Sequence, residues 1–439
     1  MSRMRRRSVA RTLGACITAV ALAAFGAACS SGGGTSAGVK TGDKLSGTIV
    51  VWDFNYNTPQ GKSYPALDKE FEALHPGVTV KHVAQPATNY AAVVQAAVVS
   101  KSGPDVIALQ TPHAIEQYYQ VLTPLNSLIS PSMKAQFDGW NAMNPQLDPN
   151  GTIYGVPYSF GATAFYYNKA LWEKAGLDPN NFPTTYDGLV ADLQKLKAAG
   201  ITPIGGGDKQ GTYFTWWLYI AIPGVMPLNA CYGLSDGKTK WTDPRVKQVA
   251  QEWLNFVKDG FLEPNQAEQF VGDFSGFGNW VNGQAALVWA FPGYRPVLAK
   301  DDKTNLGTAP AVLGFGSAKP YFYMAGPSLG WSIPTWSKNK AAAWAYIQFI
   351  TGQQAQQKHL SVDGVGPSNV NVNMSQATPD LTATFNLWKA SPDNAHCGLT
   401  WQAAVVAEFG SQMASVEAGH QTLDGALAAV QQLQDKYDT

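Results

Sequence analysis

The chain carries little charge. Asp, Glu, Lys and Arg make up only 14% of its 439 residues, and 31 basic side chains balance 31 acidic ones. No basic stripe of the kind that neutralises phosphates is present, which excludes a nucleic-acid partner. Long apolar runs are also missing. Beyond Leu13–Phe25, no segment approaches the roughly 20 apolar residues that a membrane-spanning helix needs. Catalytic signatures are absent as well. There is no Gly-x-Ser-x-Gly nucleophile turn and no His-Glu-x-x-His zinc helix, and the six histidines do not fall at metal-ligand spacings. The run Gly205-Gly206-Gly207 lacks the Gly-Lys-Ser/Thr ending of a phosphate loop and the spacing of a dinucleotide fingerprint. Glycoside hydrolysis needs two carboxylates flanking the bond. Asp53, Asp208 and Asp273 sit in predicted site loops, but no motif marks a pair. Neither a cofactor nor a metal is expected.

What is abundant is aromatic. Phe, Trp and Tyr reach 12%, with 14 Trp and 18 Tyr. Such rings fill large cores, and their flat apolar faces with one polar edge also suit a binding surface. The length accommodates two domains.

The N-terminus reads as a targeting segment. Arg3, Arg5, Arg6, Arg7 and Arg11 precede the short run Leu13–Phe25, followed by Gly26-Ala27-Ala28 and Cys29. This resembles a bacterial lipoprotein signal, with residues 1–28 removed and a diacylglycerol placed on Cys29. It departs from that pattern at Gly26, where Leu is usual. Plain secretion is the alternative. Losing five arginines leaves 26 basic against 31 acidic residues, a formal charge of −5. Residues 29–44 are rich in Ser, Gly and Thr, as in a flexible tether. Cys16 lies in the signal, so Cys231 and Cys397 remain. In an exported chain they read as one disulfide, with two free buried thiols as the alternative.

Along the chain, Leu45–Asp53, Val78–Val83 and Pro104–Leu109 read as strands. They alternate with helices over Pro65–His75 and Tyr90–Ser100, the pattern of a doubly wound α/β lobe. In such sheets ligands sit beyond the carboxyl ends of the strands. The segment Gly151–Gly176 reads as one extended run through Tyr167, with Pro157 and Gly161 inside it. Those residues disfavour an ordinary central strand and suit a segment that leaves one sheet and joins another. Helices are expected over Asp187–Ala199, Tyr213–Ile222, Pro244–Lys258, Asn339–Ile350, Asp380–Lys389, Gln402–Ala418 and Leu423–Lys436. Ala285–Phe291 and Gly330–Pro334 read as strands, and Ser361–Asn369 as a Gly/Pro loop.

The order TIVVWD, FEALHPGVTVKHV, AAVVQAAVVSKSGPDVIAL, LTPLNSLI, GTIYGVPYSFGATAFYYNKALWEKAGL, FPTTYDGLVADLQKLKAAGITPI, NGQAALVW and WSIPTWSKNKAAAWAYIQFIT resembles the extracellular solute-binding proteins of ATP-binding-cassette (ABC) importers. The likeness is to the carbohydrate-binding group that includes maltose-binding protein. It covers nearly the whole mature chain. It implies an α/β, two-lobed periplasmic-binding-protein-like fold with a hinge and an interlobe cleft. The lobes would be discontinuous, with residues 45–158 plus 326–360 forming one and residues 159–325 plus 361–439 the other. Crossings are implied near Tyr158–Ala162, Tyr323–Pro327 and Thr351–Gly364.

The resemblance further implies a monomer, anchored to the outer face of the bacterial cell membrane, that hands a carbohydrate to two permease subunits with a cytoplasmic ATPase. Expected ligand contacts on the first lobe are Asn55, Tyr56, Asn57 and Gln110. On the second they are Tyr213, Phe214, Trp217, Trp289, Phe291, Tyr294 and Arg295. Gly326 would lie at a crossing, and Trp401 would act as a lid. Core packing is the competing reading for each aromatic, turn formation for Asn55 and Asn57, and a surface ion pair for Arg295. The family usually has Gly-Ser or Gly-Pro before its Trp at the strand end, and this chain has Phe291-Pro292-Gly293. A polyamine, peptide or glycerophosphodiester ligand, or a secreted carbohydrate-active enzyme, are the alternative functions.

Overall fold

The computed structural model describes residues 44–438, apart from residues 87–88, 111–112, 145–149, 162, 265, 270, 272–276, 291–293, 295–297, 299–304, 312, 316–325, 380, 383–384 and 387–396. The signal segment, Cys29 and all of the tether but Lys44 lie outside the described residues, as do Asp273, Phe291, Arg295 and most of the helix expected over Asp380–Lys389.

In chain order, β1 (Gly47–Asp53), α1 (Tyr64–Leu74), β2 (Val78–Ala84), α2 (Tyr90–Ser100) and β3 (Val106–Gln110) alternate as their residue patterns predict. β4 (Gly155–Gly161) and β5 (Ala164–Asn168) follow, then α3 (Tyr186–Ala198), β6 (Thr202–Ile204), α4 (Thr212–Val225) and α5 (Pro244–Lys258). Next come β7 (Ala285–Ala290), β8 (Leu306–Pro310), β9 (Gly326–Ser332), α6 (Lys340–Ile350), α7 (Gln353–Asp363) and β10 (Gly366–Pro367). The chain closes with α8 (Ala403–Glu417) and α9 (Leu423–Gln434).

These strands form two sheets, one six-stranded in the order β10-β4-β9-β3-β1-β2 and one four-stranded in the order β6-β7-β5-β8. The expected single extended run through Tyr167 is two strands. β4 pairs with β9 as far as Gly161↔Gly326, whereas β5 pairs with β7 and β8 in the other sheet. The handover therefore falls between Gly161 and Ala164, a few residues later than a boundary at 158/159. β4 is irregular, with register shifts between Pro157 and Ser159 and again before Phe160. Proline brings no N–H to a ladder, and strands accommodate it at such bulges.

The region Ser361–Asn369, expected as a loop, begins inside α7, which ends at Asp363 with Gly364 as its C-cap. The buried face of α7 includes Gln356, His359 and Asp363. These polar residues at helical spacing concealed the amphipathic pattern. β8, with the sequence LGTAP, was not anticipated, because it is poor in the residues that mark strands.

Each sheet carries its own core. Around the first, Ile49, Val51, Tyr64, Phe71, Trp331 and Ile347 pack with no measurable exposure. Around the second, Trp172, Trp217, Trp241, Trp253 and Trp289 do the same. Cys231 and Cys397 are joined in a disulfide with Cα atoms 5.6 Å apart, across 166 residues of sequence.

Candidate functional site

The pairing registers place one end of each sheet at the handover. In the first sheet that end collects the loop after β1, the end of β3 at Gln110 and the end of β4 at Gly161. It also holds the start of β9, since Gln110 faces Leu329 and Gly161 faces Gly326. In the second sheet it collects the start of β5, the end of β7 and the end of β8, because Ala164 faces both Ala290 and Pro310. The end of β6 lies on the same side, with Ile204 opposite Leu287 in a parallel pair. Gly161 and Ala164 are three peptide steps apart, so the two edges meet within about 11 Å at that point.

On the first edge, Asp53 organises the loop. Its Oδ1 accepts the backbone N–H of Asn55 (3.1 Å) and of Tyr56 (2.8 Å). The Asn55 carbonyl accepts both the Thr58 amide and the Thr58 hydroxyl, each at 2.8 Å. This closes a tight turn over which Gly61 packs. A Cβ at Gly61 would lie 2.2 Å from the Asn55 oxygen, so only glycine fits. Asn55 is buried, Tyr56 half-buried and Asn57 exposed. The Tyr56 ring lies 4.3 Å from the His82 ring and stacks on Tyr64 at 6.1 Å. Gln110 is exposed at the end of β3, and Gly326 opens β9. Beside it, the hydroxyls of Ser159 and Ser328 lie 2.9 Å apart and tie β4 to β9.

On the second edge, the loop after β6 leads into α4. Asp208 Oδ1 accepts the Phe214 amide at 2.8 Å and so satisfies one of the free N–H groups in the first turn of α4. Burial, and then the charge of Glu417, push the Asp208 carboxyl well above the usual range.

The aromatics expected to face a ligand here are placed differently. Tyr213 stacks on Trp289 with centroids 4.4 Å apart and planes within 4°, and its hydroxyl accepts the Trp289 backbone N–H. Trp217 lies against Phe256 and Trp289, and Phe214 against Trp253 and Phe409. Trp401 stacks on Tyr219, and its indole N–H donates to the Cys231 carbonyl at 3.0 Å. None of Tyr213, Phe214, Trp217, Trp289 and Trp401 is more than 2% exposed. The physical reason is that α4 is apolar on every side, with eleven of its residues buried, and such a helix is enclosed by its neighbours. These five rings are core in this structure rather than free faces. Tyr294 is half-buried. It packs edge-on against Trp216 at 5.4 Å and Phe277 at 5.7 Å.

Trp216 was missed. It lies one residue before Trp217 and three after Tyr213, so helical spacing left the choice between the two tryptophans open. Trp216 keeps 8% exposure.

Two surface grooves lie elsewhere. One of about 440 Å³ is lined by Leu74, His75, Trp344 and Gln348, and one of about 400 Å³ by Tyr186, Asp187, Asn255 and Asp259. Neither includes a residue of the converging edges, where the strand ends and the polar loop make the candidate site. Among the described residues no group of three or more His, Cys, Asp and Glu could hold a metal ion, and no helix is long and apolar enough to cross a membrane.

Comparison with known proteins agrees with this architecture. The family described as bacterial extracellular solute-binding protein matches residues 56–357. The multiple sugar-binding protein of Streptococcus mutans is 23% identical over 327 residues, covering 72% of this chain and 74% of that one. An uncharacterized ABC transporter extracellular-binding protein of Pyrococcus horikoshii is 24% identical over 241 residues, covering 51% of this chain and 53% of its own. Among solved structures, a chitin oligosaccharide binding protein superposes with a TM-score of 0.76 at 24% identity, covering 90% of this chain and 99% of the other. At that identity the likeness establishes the two-lobed fold alone.

Proposed function

The chain belongs to the bacterial extracellular solute-binding protein family, and from that premise we propose that it captures a carbohydrate between its two sheet edges and delivers it to an ABC import permease. The lobes are taken as residues 45–158 with 326–360 and residues 159–325 with 361–439, with the pairings of β4 and β10 and the Phe137–Asn369 bridge carrying the first lobe on to Gly161 and to Asn369. Closure traps the solute because contacts from both lobes form together only in the closed state.

What supports this reading is that a polar loop and aromatic residues both stand at the strand ends on the handover side of the two sheets. Asn55, Asn57 and Gln110 supply amides, and Ser159 and Ser328 supply hydroxyls. A pyranose hydroxyl taken out of water without a partner costs about 1–3 kcal/mol, so such groups are required. Trp216 and Tyr294 supply rings on the opposite edge, where C–H faces of a sugar pack. Gly326, at the start of β9, brings backbone close to the same point. Phe291 and Arg295 follow directly after β7 and complete the proposed contact set from the sequence. Anchoring through a lipid on Cys29 rests on the residues around it, as does removal of residues 1–28.

The test is a thermal-shift screen of the mature protein against chitin oligosaccharides, maltotriose, raffinose, polyamines and glycerophosphodiesters. A true ligand at one hundred times its dissociation constant stabilises the folded state by about 2.7 kcal/mol. A shift with sugars alone supports the reading. A shift confined to polyamines or phosphodiesters replaces the carbohydrate while keeping the transport role.

A further inference from the structure

Asp53 is shared between the binding loop and a buried histidine. The Oδ1 atom that accepts the Asn55 and Tyr56 amides lies 3.7 Å from His82 Nε2. That separation is an ion-pair contact and too long for a hydrogen bond. On its other side, His82 Nδ1 lies 3.0 Å from Asp68 Oδ2. Asp68 in turn accepts the Tyr346 hydroxyl at 2.6 Å through its second oxygen.

The side chains of His82 and Asp53 are each 1% exposed. The ring is covered by Tyr56 at 4.3 Å and Tyr64 at 5.0 Å, with the edge of Trp331 at 6.4 Å. The groups facing this point are therefore Asp53 from β1, Asp68 and Tyr64 from α1, Tyr56 from the loop and, across Asp68, Tyr346 from α6. Among the described residues no Lys or Arg forms an ion pair with either carboxylate; His82 alone does. A neutral ring would leave two buried carboxylates without an opposing charge, which is costly.

We propose that His82 is a positioning residue for the solute loop: as an imidazolium between Asp68 and Asp53 it holds the Asp53 carboxylate in place, and loss of its proton loosens the turn that presents Asn55, Tyr56 and Asn57. The consequence for affinity rests on the carbohydrate-site reading above, whereas the consequence for loop order does not. The electrostatics point the same way. Burial pulls the His82 pKa down, but the two carboxylates outweigh it and the net shift is upward from 6.5. A histidine raised in the folded state contributes its stabilisation below the unfolded value and loses it as the pH climbs through the folded one. Loop order is thus greatest below the unfolded value of 6.5 and declines as the pH climbs through the raised folded-state value.

Hydrogen exchange of peptides spanning residues 54–61 tests this on the mature protein. It is run from about pH 5.5 to 8.5, corrected for intrinsic exchange, with His82→Gln and Asp68→Asn in parallel. For each unit by which loop order raises the imidazole pKa, wild-type exchange speeds up about tenfold across the titration. His82→Gln exchanges fast at every pH, with α5 in the second lobe unchanged. Asp68→Asn moves the loosening to lower pH. Wild-type protection that is flat with pH, or His82→Gln protection equal to wild type, overturns the proposal. If His82→Gln does not fold, the wild-type and Asp68→Asn profiles decide it. Titration calorimetry with chitotriose and maltotriose adds the affinity arm. If neither sugar binds, the carbohydrate reading fails while the exchange data still judge His82.

Discussion

The two lobes solve the same problem by different means. In the first, buried polar groups link segments far apart in sequence. His82 bridges Asp53 and Asp68, while His359 Nδ1 lies 2.6 Å from Asp363 Oδ2 and 3.0 Å from Ser63 Oγ. Asp363 also receives the Ser63 amide at 3.1 Å. Gln356 donates to the Tyr158 carbonyl at 2.6 Å and accepts the Asn369 amide at 2.9 Å. In the second lobe stacked rings and a disulfide do more of that work, beside a few long-range bonds such as that from Trp253 to Glu417. Directional bonds fix a loop's orientation and respond to protonation, whereas packed rings and a covalent link fix a wall that does not. The first lobe is accordingly the adjustable side of the site and the second the rigid side.

This contrast can be broken by removing what each side depends on. The largest effect belongs to Trp289→Ala, which strips Tyr213 of its stacking partner inside the second core. We expect a loss of about 3–5 kcal/mol in denaturant unfolding. Replacing both Cys231 and Cys397 by Ser follows, at about 2–5 kcal/mol in the same measurement. Loss of less than about 1 kcal/mol would show that ring packing alone holds the C-terminal helices.

Glu252 sharpens the comparison, because it is a titrating group inside the rigid side. Burial raises its pKa from 4.5 to about 7, so the folded state favours the protonated acid and loses stability as the pH rises through 7. Glu252→Gln should therefore stabilise by up to about 3 kcal/mol at pH 8 and by little near pH 4.5. A benefit equal at both values would refute the linkage. The smallest effect on global stability, but a decisive one on binding, is expected from Gly61→Ala. A Cβ there collides with the Asn55 carbonyl. We expect at least a tenfold weaker ligand affinity, about 1.4 kcal/mol, beside a loss of about 1–3 kcal/mol in unfolding from the collision.

The sequence was most legible where chemistry is local. α5 lies at its expected limits because Asp243 caps it, accepting the Arg245 amide at 2.9 Å, with Pro244 at its first turn. α2 stops where Lys101 turns left-handed before Gly103. The polar first-lobe residues Asn55, Asn57 and Gln110 could be placed because they directly follow recognisable strands. The second-lobe rings could not, since Tyr213, Trp216 and Trp217 occupy one short stretch and only tertiary packing decides which stays accessible. β10 was invisible, since two residues carry no periodicity. The Asp53–His82–Asp68 arrangement was unreadable for a different reason: it joins β1, β2 and α1, and nothing in any of the three segments names the others.

The registers also set a schedule for the nascent polypeptide. β3 and β4 are both zipped to β9, so the first sheet lacks its middle until residue 332 has been made. The second core waits still longer, because Trp241 and Trp253 are hydrogen-bonded by Gln431 and Glu417 from α9 and α8. Neither half can finish folding while the ribosome is still supplying the last third of the chain. Such delay leaves the newly made polypeptide threadable, as suits a member of an extracellular family.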